Sequence, residues 1–105
     1  MTTEEMIEIF LDKGAWAYKT LNRNTAEGKK LFRHEPVEIE GREFTCFREY
    51  TAYKMGEFLH ESLPEAKVIV TLDGNDSTIE IVVSDEEQQV INSKMYRLLK
   101  EWKFV

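Results

Sequence analysis

Asp73, Asn75 and Ser77 stand at alternate positions in Thr71–Glu80, TLDGNDSTIE, as oxygen ligands do at the start of a calcium-binding loop. An EF-hand loop beginning at Asp73 needs glycine at its sixth position and a bidentate glutamate at its twelfth. This chain has Thr78 and Ser84 there. The second half of such a loop also falls on Thr78–Val83, whose alternation is that of a strand. Asp, Gly and Asn are the residues that tight turns need, for positive φ and for side-chain bonds to nearby backbone. A turn is therefore expected here, with no metal and no cofactor.

For nucleophilic chemistry the candidates are Cys46 with His34 or His60. A reactive cysteine needs an electropositive, partly exposed setting and a base within hydrogen-bond reach. The strand pattern instead turns Cys46 inward, where a small thiol packs as a hydrophobe. No nucleophile elbow, HExxH pair or phosphate-cradling glycine loop occurs, and two histidines 26 positions apart without a cysteine pair do not make a zinc site. Tyr53, Gly56 and His60 fall within about 60° of one another on a helix, beside its apolar stripe. A helix-interior glycine costs about 1 kcal/mol against alanine, so either a ligand or a close-packed neighbour must account for Gly56.

Charge gathers in two places. Lys19, Arg23, Lys29, Lys30 and Arg33 surround a loop whose one acid is Glu27, with Tyr18 and Phe32 close by. Basic residues interleaved with aromatics can bind phosphate and stack bases. Between Asp73 and Glu87 lie Asp73, Asp76, Glu80, Asp85, Glu86 and Glu87 without any lysine or arginine, a surface for a basic partner if the hairpin tip and the helix start are neighbours. Both groups are also what solvated turns and helix caps look like.

The elements that must position these residues follow from periodicity. Residues 3–21 predict a helix opened by Thr2 or Thr3, with Glu4 and Glu5 beside the positive end of its dipole. Met6, Phe10, Ala17 and Leu21 centre its apolar face, widened by Ile9 and Trp16 on one side and by Ile7, Leu11 and Tyr18 on the other. That arc spans about 220°, more than one sheet covers, so the helix is expected to be sandwiched or shared with another subunit. Asn22–Lys30 reads as a loop. A hairpin turning at Gly41-Arg42 would pair Glu40 with Glu43, Ile39 with Phe44 and Val37 with Cys46. Glu49–Ser62 predicts a helix with Met55, Phe58, Leu59 and Leu63 on one face, ended by Pro64. KVIVTLD and STIEIVV predict a second hairpin, Val70 opposite Ile79 and Val68 opposite Ile81 around Asp73–Asp76. Ser84-x-x-Glu87 has the form of a capping box for a last helix with the stripe Ile91, Met95, Leu98 and Trp102.

The expected order is α-β-β-α-β-β-α: an α+β domain over residues 1–105, with a four-stranded antiparallel sheet of two hairpins and helices mainly on one face. One cysteine excludes an internal disulfide, and an acidic N-terminus with no apolar run of about 18 residues argues against a signal peptide or membrane span. A cytoplasmic setting is expected. The net charge of −6 speaks against coating DNA but leaves room for a local basic patch. The chemistry together points to a non-catalytic module that binds another protein and self-associates as a homodimer, through the wide first helix with Ile69 and Val82. A nucleic-acid contact through Lys19–Arg33 is the second reading, and a small enzyme centred on Cys46 or His60 the third.

Overall fold

Thr2 opens α1 (Thr3–Asn22) with a reciprocal capping box: its hydroxyl accepts from the Glu5 backbone N–H at 3.1 Å, and the Glu5 carboxylate accepts from the Thr2 N–H at 3.0 Å. The computed structural model describes residues 1–105. In α1 the buried stripe is Met6, Ile7, Phe10, Leu11 and Gly14, so the apolar arc is covered in its N-terminal part and open further on. Trp16 and Leu21 are 71% and 75% exposed, so of the two expectations for this face, sandwiched or shared with another subunit, the first does not hold for its C-terminal half.

The segment expected to be a loop contains a helix. Thr25 caps α2 (Ala26–Phe32), its hydroxyl accepting from the Gly28 N–H at 2.9 Å. Gly28 disguised this helix as a loop; a Cβ there would stand 1.7 Å from the Asn22 carbonyl oxygen, so only glycine lets α2 fold back on the end of α1. The helix closes with the Glu35 N–H bonded to Lys30 O and the His34 N–H to Leu31 O, which puts His34 in the left-handed region at φ 57°.

The first hairpin, β1 (Val37–Ile39) and β2 (Arg42–Phe44), turns one residue earlier than expected. Glu40 and Gly41 both have positive φ, 54° and 80°, the pair of conformations that a two-residue hairpin turn requires. Val37 therefore faces Phe44, Glu38 faces Glu43 and Ile39 faces Arg42. Cys46 leaves the strand and becomes the N-cap of α3 (Phe47–Ser62), two residues before the expected start. The Leu63 N–H still bonds to Leu59 O, and Pro64 follows.

The second hairpin, β3 (Lys67–Thr71) and β4 (Thr78–Val82), has the expected register, with Val70 opposite Ile79 and Val68 opposite Ile81. The capping box at Ser84 is not made. Ser84 instead precedes a 3-10 turn, Asp85–Glu87, and its hydroxyl caps nothing. In α4 (Gln88–Glu101) the buried stripe is Ile91, Met95 and Leu99, with Leu98 half-buried and Trp102 at the rim. After α4 the Phe104 N–H bonds to Leu99 O at 2.8 Å, and the Phe104 ring meets Phe10 edge-on.

The hairpins do not join into the expected four-stranded sheet. They form two separate two-stranded antiparallel sheets, in the order α-α-β-β-α-β-β-α. Each buries its apolar face against helices rather than extending the other at its edge. Val37 and Phe44 pack with Leu31 and Phe47 in a small cluster, while Val68, Val70, Ile79 and Ile81 cover the main core of α1, α3 and α4. The axes of 44 × 24 × 20 Å follow from this side-by-side arrangement.

Candidate functional site

Four α1 residues on successive turns, Asp12, Ala15, Trp16 and Lys19, form one wall of a cleft of about 310 Å³. Leu31, Phe32 and His34 at the end of α2 form the facing wall, and Cys46, Phe47 and Arg48 at the start of α3 the floor. Asn75 closes one end from the β3–β4 turn. The cleft exists because Gly28 draws α2 against α1 and because α1 continues beyond the body that buries its first turns.

Its apolar part is partly exposed. Phe32 is 47% exposed and rests edge-on against buried Phe47, ring centroids 5.0 Å apart. Trp16 has no aromatic partner within the fold. A tryptophan held this open loses contacts that a partner could supply.

Its charges divide into fixed and free. Arg48 is fixed: Nε donates to Ser77 O at 2.9 Å, and the guanidinium meets Glu8 and Asp12 at 3.2 Å each. Beside it the Glu49 carboxylate, 9% exposed, accepts from the Thr45 N–H and the Gly74 N–H, both at 2.9 Å. Arg48 and Glu49 together clamp the β3–β4 turn to the start of α3. Lys19, Lys29 and Lys30 enter no ion pair, and Arg33 is held by Glu35 at 3.0 Å. That ion pair pulls the Glu35 carboxyl below the ordinary carboxylate range and raises the Arg33 guanidinium. Residues 19–35 hold five basic residues against two acids; the rest of the chain holds nine against eighteen. The α1–α2 corner is thus the positive end of an acidic molecule.

The residues singled out from sequence fall as follows. Of the basic group, Lys19 lines the cleft, with Phe32 and His34 opposite; Lys29, Lys30 and Arg33 lie on the exposed side of α2, outside its wall. Cys46 lies on the floor of the cleft that His34 lines, but it is 2% exposed and no hydrogen bond joins the two. Tyr53, Gly56 and His60 do share a groove, about 290 Å³, with Arg42, Glu57, Val68, Val70 and Leu72. The Arg42 guanidinium sits 5.0 Å over the Tyr53 ring there. Gly56 has a neighbour that accounts for it: a Cβ would lie 2.2 Å from Val70 Cγ2, so the glycine lets α3 seat on its own sheet. The acidic residues are exposed but divided, Asp73 and Asp76 before β4 and Asp85, Glu86 and Glu87 after it.

The β3–β4 turn closes on itself. The Ser77 hydroxyl accepts from the Asp73 N–H at 2.8 Å and donates to Gly74 O at 2.7 Å, and Ser77 is fully buried. Nowhere do three or more His, Cys, Asp or Glu side chains gather as a ligand set. No helix is long and apolar enough to cross a membrane.

Sequence reading missed Trp16, Asp12, Arg48 and Asn75 as members of one site. The signal available was the excess width of the α1 face, which left at least one large side chain without a place in the core. Comparison with protein-family models, with curated proteins and with solved structures gives no match.

Proposed function

We propose that this chain is a cytoplasmic binding module without catalytic activity, which engages an acidic segment of another protein at the Trp16 cleft and associates with a second copy of itself. The observation that carries this reading is Trp16, 71% exposed on the wall of a cleft whose cation Lys19 has no ion-pair partner. Tryptophan anchors flanked by polar groups are where interface energy concentrates. An acidic partner fits because its charge is opposite to that of the α1–α2 corner, which speeds encounter and sets orientation. His34, placed on the facing wall by the left-handed end of α2, supplies a polar edge.

The test is selection of peptides from a random library against the full chain. Recovered peptides should be acidic with one large apolar residue. Their binding should shift Trp16 fluorescence in a Trp102→Phe background and weaken at least about thirtyfold on Trp16→Ala, the loss of an interface anchor. Peptides that bind equally well without Trp16 would overturn the reading.

A nucleic-acid contact is the second reading, favoured by the free cations Lys19, Lys29 and Lys30 beside Phe32. It requires that an added single-stranded oligonucleotide bind with steep salt dependence, and that Lys29→Ala with Lys30→Ala weaken it. The enzyme reading has less support, because the Cys46 thiol is buried and no base is bonded to it. Slow reaction of Cys46 with thiol reagents until the chain unfolds would count against it further.

A further inference from the structure

We infer that the surface of self-association is the free edge of β3, paired antiparallel with β3 of a second copy about a two-fold axis through Ile69. The inference rests on the self-association part of the reading above and is independent of the Trp16 cleft.

β3 pairs only with β4, and no turn, cap or side-chain hydrogen bond reaches Lys67–Thr71 from any other element. Its outer N–H and C=O groups therefore present an open template. Proteins normally blunt such an edge with proline, a bulge, an inward charge, lysines along the edge or a covering element. KVIVT has none of the first three: no proline, the unbroken register of all five residues, and its one charge, Lys67, at the first position and exposed. The inner face of β3 is covered by α3, Val68 and Val70 lining a groove with Tyr53 and His60, while no strand pairs with its outer edge. Four consecutive β-branched residues, Val68 to Thr71, on an open edge are held out of trouble most simply by pairing. An isolated two-stranded sheet is also marginal in water, and two more strands relieve that.

The β4 edge is a poorer template. It carries Glu80, and the groove beside it is lined by Glu4 and Glu8 of α1.

The occupant follows from self-complementarity. An antiparallel register centred on Ile69 places Val68 opposite Val70 of the second copy, Ile69 opposite Ile69, and Lys67 opposite Thr71. Every apolar residue then meets an apolar one and no like charges face each other, the arrangement that stabilises cross-strand pairs. On the outer face Ile69, 37% exposed, gains cover from its own symmetry mate. The two-fold makes the contact closed, a dimer rather than a fibre. Five residue pairs bury less than a standard interface, so the dimer belongs to the weak, concentration-dependent class.

Sedimentation velocity of the full chain over a concentration series tests this. The wild type should shift from monomer to dimer. Ile69→Lys, which sets two like charges against each other on the axis while its side chain points to solvent, should raise the dimer Kd at least about tenfold, with circular dichroism unchanged. Thr78→Lys, on the same outer face but on β4 and opposite the uncharged Thr71, should leave the Kd as it was. In a Cys46→Ala background, Ile69→Cys should oxidise to a covalent dimer, because paired positions bring Cβ atoms to about 4.5–5.5 Å, whereas Thr71→Cys should not. A dimer that ignores Ile69→Lys, or crosslinks as readily through Thr71→Cys, overturns the β3 edge and leaves self-association standing. A chain that stays monomeric at high micromolar concentration overturns self-association itself.

Discussion

Replacing Gly56 by alanine separates the two explanations of that glycine. In a helix interior the change should stabilise by about 1 kcal/mol, because alanine is the better helix former. Here the added Cβ would stand 2.2 Å from Val70 Cγ2, where carbon atoms in contact sit at about 3.5–4.0 Å. Val70 cannot step aside cheaply: it is β-branched, its χ1 is restricted, and its other side-chain atoms lie at 3.5 and 3.7 Å from the same point. Either α3 lifts from β3 or Val70 leaves its rotamer, and overpacking of this kind costs about 1–3 kcal/mol. After the helix gain the net loss is up to about 2 kcal/mol, with a fall in Tm of about 4–8 °C for each kcal/mol in a domain of this size. Denaturant melts of four proteins test it: wild type, Gly56→Ala, Val70→Ala and the double variant. In the Val70→Ala background the clash partner is gone, so Gly56→Ala should there stabilise by about 1 kcal/mol, giving a coupling of about 1–3 kcal/mol. Equal effects in both backgrounds, or stabilisation in the wild type, would refute the packing explanation and return Gly56 to a ligand.

Three further outcomes follow from single contacts. Phe104→Ala removes a ring that meets both Phe10 and Trp102, and should cost about 1–3 kcal/mol in a denaturant melt, less than a fully buried phenylalanine; no loss would mean that the C-terminal residues do not pack. Burial pushes the phenols of Tyr18 and Tyr50 up, Tyr18 also through Tyr50, whose ring centroid lies 5.2 Å away. The fold thus favours their neutral forms: that stability is intact below the free tyrosine pKa near 10 and is lost as pH rises through the folded values. Absorbance at alkaline pH should show these two ionising later than free tyrosine, and Tyr18→Phe with Tyr50→Phe should remove the lag; a single ordinary titration in the folded chain would contradict it. Thr51 is fully buried with a hydroxyl that has no hydrogen-bond partner, so the near-isosteric Thr51→Val should stabilise by about 1 kcal/mol; destabilisation would show that the hydroxyl is bonded after all.

What could be read from the sequence depended on whether the determinant was local. The β3–β4 register was legible because period-two alternation and a turn of fixed length both select it, and a one-residue slip would expose Val68, Val70, Ile79 and Ile81. The first hairpin was misplaced because Gly41 suits either of two turns. What selects between them is Glu40 at positive φ, a conformation no composition rule assigns to glutamate. Helix α2 was hidden for a related reason: Gly28 is a poor helix residue that the close approach of Asn22 O demands, and that approach is tertiary. The four-stranded sheet failed because pairing two hairpins edge to edge is a long-range choice. In this chain α3 lies against both hairpins and gives each an apolar surface of its own.

The candidate site was legible in pieces and not as a whole. Lys19, Phe32, His34 and Cys46 were each noticed, yet their meeting depends on the turn of chain between α1 and α2 that was read as a loop. The over-wide face of α1 was the one sequence feature that already contained the answer. Its first turns meet α3, α4 and β4, and its last turns run past them, so the far end of the apolar face stays uncovered. The fold resolves this by burying Met6 through Gly14 and leaving Trp16 as a cleft wall and Leu21 in solvent. The same limit on covering material acts on β3. A two-stranded sheet has an open edge on each side, and in this chain α1 stands beside only the β4 edge. The cleft and the β3 edge are therefore two consequences of one condition: more apolar and unpaired surface than these elements can cover among themselves. The excess lies at separate places, one with positive charge beside it and one that is its own complement.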